Sequence, residues 1–268
     1  MRLLKRSHKD EYNEFKEESL QRLLSSETPF AVKEAYNSIR TKLVFMTHEE
    51  ICPVFAMTSA LPGDGKSINV INLAITFSQL NKRVLVIDAD MRKPTMHKYF
   101  GCGHSNGLSE VLAGISRTVD VRPTNFENLS FLPAGDIPPN PAELLSNKVK
   151  VEELMSFIKS NFDYIFIDCP PVEVVTDATL LSSHISGYIF VVRSGKLRAA
   201  DLKHAISGIQ EVNGKILGFI LNDTSGIAQN YYRKGYYGNR YNYKYYRYKY
   251  DYNYKYTDGE KNDKKKKS

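Results

Sequence analysis

The chain has 268 residues, 42% hydrophobic and 25% charged, which suffices for one large domain and a tail. Its net charge of +7 is unevenly placed: 12 Lys+Arg against 4 Asp+Glu lie from Tyr231 onward, leaving 25 against 26 before it. The folded part is therefore near neutral and gives no ground for a nucleic-acid partner, and none is expected.

Residues 1–28 are charged and weakly periodic, and read as a mobile or loosely docked arm. Its opening, MRLLKRSHKDEYNEF, lacks the apolar stretch of a secretory signal. Pro29 then opens PFAVKEAYNSIRTKLVFM, in which Ala35, Ile39, Leu43 and Met46 share one face of a helix over 29–47. VFAMTSA (54–60) reads as a buried strand, SINVINLAITFSQLN as a helix and RVLVIDAD (83–90) as a second strand. A helix is expected over 104–115 and a strand over 129–135. PPNPAELL opens a helix running through about Ser160, with Pro141 suited to its first turn. Strands follow at 164–168 and 187–193, then a helix from Ala199 to Val212 and a last strand in KILGFILND.

Continuous apolar strands alternating with helices predict an α/β domain over 29–227: a mostly parallel sheet with helices on both faces. No uncharged apolar run reaches the roughly 18 residues of a membrane span. Cys52, Cys102 and Cys169 are odd in number and far apart, which argues against a disulfide framework or zinc site and suits a reducing cytoplasm.

The most specific motif is ALPGDGKS (60–67), set between a strand and a helix. Glycines let the backbone wrap so that amides face phosphate oxygens. The helix N-terminus adds a positive dipole, a lysine reaches the β/γ-phosphates, and the hydroxyl beside it ligates Mg²⁺. Gly63, Gly65, Lys66 and Ser67 fill these roles, with Pro62 and Asp64 completing the ATP-binding turn, although Ala60 stands where such loops usually have their first glycine. YIFIDCPP ends in Asp168, placed to hold the metal on the carboxyl rim of the sheet. VIDADMRKP carries Asp88, Asp90 and Arg92 beyond another strand, where paired acids serve either the metal shell or the proton of an incoming hydroxyl.

Together SALPGDGKS, VLVIDADMRKP and YIFIDCPP resemble the Walker A, A′ and B motifs of the bacterial tyrosine kinases, cytoplasmic autokinases associated with capsule and exopolysaccharide synthesis. The resemblance runs over about 30–257 and implies a P-loop NTPase-like fold using ATP and Mg²⁺. It also implies Lys66, Asp88, Asp90 and Arg92 in catalysis, with Asp88 or Asp90 activating the tyrosine hydroxyl, of which Asp88 is assigned here as the proton acceptor, and Ser67, Asp90 and Asp168 around the metal. The family's E-x-x-R-x-x-R pattern for a ring-shaped homo-oligomer is matched at Glu34 and Arg40 but broken by Asn37. Related ATPases place an asparagine like Asn222 near adenine. With no spanning segment in the chain, the family implies recruitment to the membrane by a separate adaptor that activates the kinase.

From about residue 228 there is no Leu, Ile, Val or Phe, so the segment 228–268 is expected to be a disordered tail. Thirteen of the eighteen tyrosines lie there: Tyr231, Tyr232, Tyr236, Tyr237, Tyr241, Tyr243, Tyr245, Tyr246, Tyr248, Tyr250, Tyr252, Tyr254 and Tyr256. Tyrosines that no core can absorb suit phosphoacceptors, on the same chain or a neighbouring copy, alongside other protein substrates. Each phosphate adds about −1.5 to −2 charges, so roughly four or five would cancel the tail's positive excess. The alternative is a partition- or septum-site-type ATPase whose basic, aromatic tail binds lipid or nucleic acid.

Overall fold

A computed structural model describes residues 20–223. The tail, its tyrosines and the first part of the expected arm lie outside the described residues. In chain order the elements are α1 (Phe30–Met46), β1 (Val54–Thr58), α2 (Lys66–Ser78), β2 (Val84–Asp88), α3 (Met96–Phe100), α4 (Leu108–Leu112) and β3 (Arg122–Pro123). There follow β4 (Leu129–Leu132), α5 (Pro141–Ser146), α6 (Lys148–Asn161), β5 (Tyr164–Asp168), a 3-10 helix (Thr179–His184), β6 (Gly187–Arg193), α7 (Ala199–Glu211) and β7 (Ile216–Asn222).

The strands form one seven-stranded sheet in the order β3-β4-β2-β5-β1-β6-β7. Every neighbouring pair is parallel except β3 with β4. The central strands are apolar at successive positions because both faces are covered, and the two-residue period then sorts their side chains. Phe55, Met57, Val84, Val86 and Phe166 join Leu43 of α1 and Val70, Leu73 and Phe77 of α2 on one face. Val54, Ala56, Leu85, Ile87, Ile165 and Ile167 join Leu112, Leu145, Leu154, Ile158, Ala205 and Ile209 on the other. Phe166 lies 5.2 Å from Phe55 and 5.1 Å from Phe77 between ring centroids, so α2 locks onto β1 and β5 through aromatic edges. Burying each such ring contributes about 1.5–3 kcal/mol.

The structure departs from the expected elements where local polar chemistry outweighs periodicity. The single helix expected from 141 to about 160 is two, divided at Asn147, whose side chain accepts the Lys150 N–H at 3.3 Å and so starts α6. The helix expected over 104–115 shrinks to α4. Asn106 adopts a left-handed φ of 56°, and the Glu110 carboxylate takes the Asn106 and Gly107 N–H groups, at 3.2 and 2.8 Å, ahead of the helix. The described end of the arm is not loose: Leu23 and Leu24 are buried against α2. Among the described residues no helix is long and apolar enough to cross a membrane.

Candidate active site

The strand order brings the three sequence motifs together. β5 lies between β2 and β1, with Asp168 in register with Asp88 on one side and Met57 on the other. Strand ends 80 and 110 residues apart in the sequence thus share one carboxyl rim, where open α/β sheets bind their ligands.

The loop after β1 is shaped by two left-handed glycines, Gly63 (φ 81°) and Gly65 (φ 91°), and α2 begins directly at Lys66. Its carbonyl groups are claimed by side chains from elsewhere. The Arg193 guanidinium lies 3.5 Å from the Gly63 oxygen, Asn222 Nδ2 donates to Asp64 O at 2.9 Å, and Asn69 Nδ2 donates to Gly65 O at 2.8 Å. A peptide plane whose C=O faces outward presents its N–H on the opposite side, so these bonds hold the loop amides toward the phosphate position. Asn222, expected near adenine, thus also braces the loop backbone, and a Cβ on Gly65 would meet its Nδ2 at 2.2 Å. Arg193 also pairs with Asp223 at 2.9 Å. Arg193 and Asn69 had no motif to announce them. Asp64 is buried with Oδ2 unpartnered, and burial pushes its carboxyl up.

Asp168 is 2% exposed, and its Oδ2 accepts the Ser67 hydroxyl while Oδ1 has no partner. Burial raises its carboxyl to about 6, against the pull of the Lys66 charge and the Ser67 bond. A hydroxyl and a carboxylate side by side, with one buried oxygen still unsatisfied, are hard oxygen donors of the kind Mg²⁺ takes. The donor set fits the ion.

The two acids after β2 differ sharply. Asp88 is 1% exposed and accepts three backbone N–H groups: Asp90 at 3.2 Å through Oδ1, and Thr95 and Met96 at 3.2 and 3.1 Å through Oδ2. Burial and the neighbouring Asp168 push its carboxyl well up. Asp90 is partly exposed, and its Oδ1 accepts the Lys93 N–H at 3.1 Å. Asp90 is thus the more open of the two acids to an incoming phenol. Arg92 makes a bidentate pair with Asp177, at 2.8 and 3.0 Å, a partner that no sequence motif indicates. On α1, Asn37 donates to Glu34 at 3.0 Å and Arg40 donates to the carbonyl of Thr76 near the end of α2. Both residues expected to serve oligomerisation therefore have partners within the chain.

Residues 53–217 match the protein-family model described as an AAA domain. The tyrosine-protein kinase YwqD of Bacillus subtilis is 38% identical over 211 residues, spanning 78% of this chain and 88% of that protein. The crystal structure of the chimerical protein CapA2B2 superposes with a TM-score of 0.70 at 33% identity, over 76% of this chain and 89% of that one. The septum site-determining protein MinD of Pyrococcus horikoshii, solved with Mg-ADP, reaches 0.53 at 26% identity over 63% of this chain and 70% of its own. With this sheet order, this loop and these relatives, the chain belongs to the bacterial tyrosine kinase family.

Proposed function

We propose that this chain transfers the γ-phosphoryl group of ATP to tyrosine hydroxyls, and that the tyrosines of its own C-terminal tail, presented by a neighbouring copy, are its first acceptors. The observation that carries the reading is the A′ acid pair, with Asp88 in register beside Asp168 on the adjacent strand and Asp90 two residues beyond it. A nucleotide-driven switch has no need of thirteen tail tyrosines. Further protein tyrosines serve as substrates, and a separate membrane protein supplies activation and recruits the chain to the membrane from the cytoplasm. The pathway regulated is capsular or exopolysaccharide synthesis.

The geometry of the site supports a division of roles. The amides of Gly63, Gly65 and Lys66 cradle phosphate oxygens, and the Lys66 ammonium balances their charge. Ser67 and Asp168 would hold Mg²⁺, with Asp90 at the edge of its shell; the ion supplies charge neutralisation on the phosphates. Asp90 takes the phenolic proton as the tyrosine oxygen bonds to the γ-phosphorus and the bond to the β-phosphate oxygen breaks. Asp88 acts from behind, fixing the turn that aims Asp90. Catalysis is then mostly positioning and fixed charge.

The test uses a chain ending at residue 223 together with a full-length Lys66→Met chain as acceptor. Tail tyrosines of the Lys66→Met chain become labelled in trans, while the shortened enzyme does not label itself. Labelling confined to tyrosines before residue 224 would overturn the assignment of the acceptors.

A further inference from the structure

A buried polar chain runs from the amino-terminal segment through α1 into the phosphate loop. Asn69, one turn into α2, donates through Nδ2 to Gly65 O at 2.8 Å and accepts the Tyr36 hydroxyl at Oδ1, 2.9 Å away. The same hydroxyl accepts from Asn72 Nδ2 at 3.2 Å. Asn72 Nδ2 also reaches the carbonyl of Arg22 at 3.1 Å, and its Oδ1 accepts the Leu24 N–H at 2.8 Å. Both asparagines are 2% exposed. Backbone partners at the two ends fix each amide's orientation, since a carbonyl only accepts and an N–H only donates. The Tyr36 oxygen is therefore obliged to donate toward Asn69 and accept from Asn72.

The loop end of this chain matters most. Gly65 holds the left-handed φ of 91° that begins α2, and its carbonyl also accepts the Asn69 N–H at 3.2 Å. The orientation of its peptide plane decides where the neighbouring amides point. Withdrawing Tyr36 leaves two buried asparagine groups short of a partner and releases the Asn69 amide from one of the two bonds that fix it.

We propose that Tyr36 and Asn69 are positioning residues that make the phosphate-binding shape of the loop depend on the seating of α1 and of residues 22–24 against α2. This rests on reading the loop as the nucleotide site and adds to it a means of control: whatever holds or lifts α1 tightens or loosens nucleotide binding. Arg40, bonded to the Thr76 carbonyl, anchors the same helix four residues further on.

The test uses the full-length chain and its Tyr36→Phe, Asn69→Ala and doubly substituted forms. Two quantities are read: the Kd for Mg-ADP by calorimetry, and hydrogen exchange of the amides at 63–67 without nucleotide. Tyr36→Phe raises the Kd roughly 5- to 30-fold, speeds exchange in the loop, and raises KM for ATP far more than it lowers kcat. The double variant matches the weaker single one, because the two residues act in series. Should Asn69→Ala fail to fold, Tyr36→Phe, which removes one oxygen, carries the test alone. Unchanged Kd and unchanged loop exchange in Tyr36→Phe would overturn the proposal, as would a lowered Tm with loop exchange and Kd intact. A parent chain that binds no Mg-ADP would sink the nucleotide reading instead, and loop exchange would still decide the coupling.

Discussion

Arg92 and Asp177 form a two-pronged ion pair across 85 residues of sequence, Nε to Oδ2 at 2.8 Å and Nη2 to Oδ1 at 3.0 Å, with the Asp177 side chain wholly buried. The pair ties the loop after β2 to the segment after β5, the two stretches that follow the acidic motifs. Arg92→Ala strands a buried carboxylate and should cost about 2–4 kcal/mol in urea denaturation. Arg92→Met with Asp177→Leu should recover much of that loss. Strictly additive effects would show that Arg92 acts elsewhere.

The two acids of the A′ motif should separate by what they hold. Asp88→Asn places an amide against backbone N–H groups that need an acceptor, so it should lower stability by about 1–3 kcal/mol as well as activity. Asp90→Asn should keep the fold and the Kd for ATP while reducing phosphotyrosine formation about 100-fold or more. The reverse pattern would return the proton to Asp88.

Gly65→Ala meets two obstacles at once, the φ of 91° and the Asn222 amide 2.2 Å from the new Cβ. Nucleotide binding should be lost, with a stability cost of about 1–2 kcal/mol. Adding Asn222→Ala removes the collision but not the strain, so stability recovers partly and binding does not. Full recovery of binding in the double variant would contradict the account of the loop.

His97 gives a pH dependence away from the site. Burial, with the His104 and Lys98 charges nearby, lowers its imidazole from 6.5 to about 4, and its Nδ1 has no partner. As pH falls below 6.5 the unfolded chain takes up a proton that the folded chain refuses. Stability is therefore full above 6.5, declines toward pH 4, and is level with respect to this group below that. The loss should be about 1–2 kcal/mol after allowing for partial exposure. Denaturation midpoints of His97→Gln should vary less over that window than those of the parent chain. An unchanged slope would mean that His97 is not the cause.

How much of this was legible in the sequence depended on the reach of each signal. β2 and β5 were plain because apolar runs such as VLVID end abruptly in acids, and β1 and its loop because an apolar run leads into GDGKS, which has few other uses. The break at Asn147 was hidden, since the apolar spacing continues through it and only the cap reveals the division. Asp177, Asn69 and Arg193 were out of reach because their roles come from partners 85, 33 and 130 residues away, which no local pattern encodes. Asn222 was placed at the right end of the right strand, but its partner, the Asp64 carbonyl, is a matter of side-chain direction.

The most direct test of the central claim is to incubate the purified full-length chain with Mg-ATP and measure ADP release and phosphotyrosine together, site by site, by mass spectrometry. The account predicts phosphate on tyrosines between Tyr231 and Tyr256. It also predicts ADP in step with phosphotyrosine, and at least about 100-fold less of both in a folded Lys66→Met chain. Sustained ADP release with no phosphotyrosine anywhere in the chain would contradict it and leave a nucleotide hydrolase of the septum-site type.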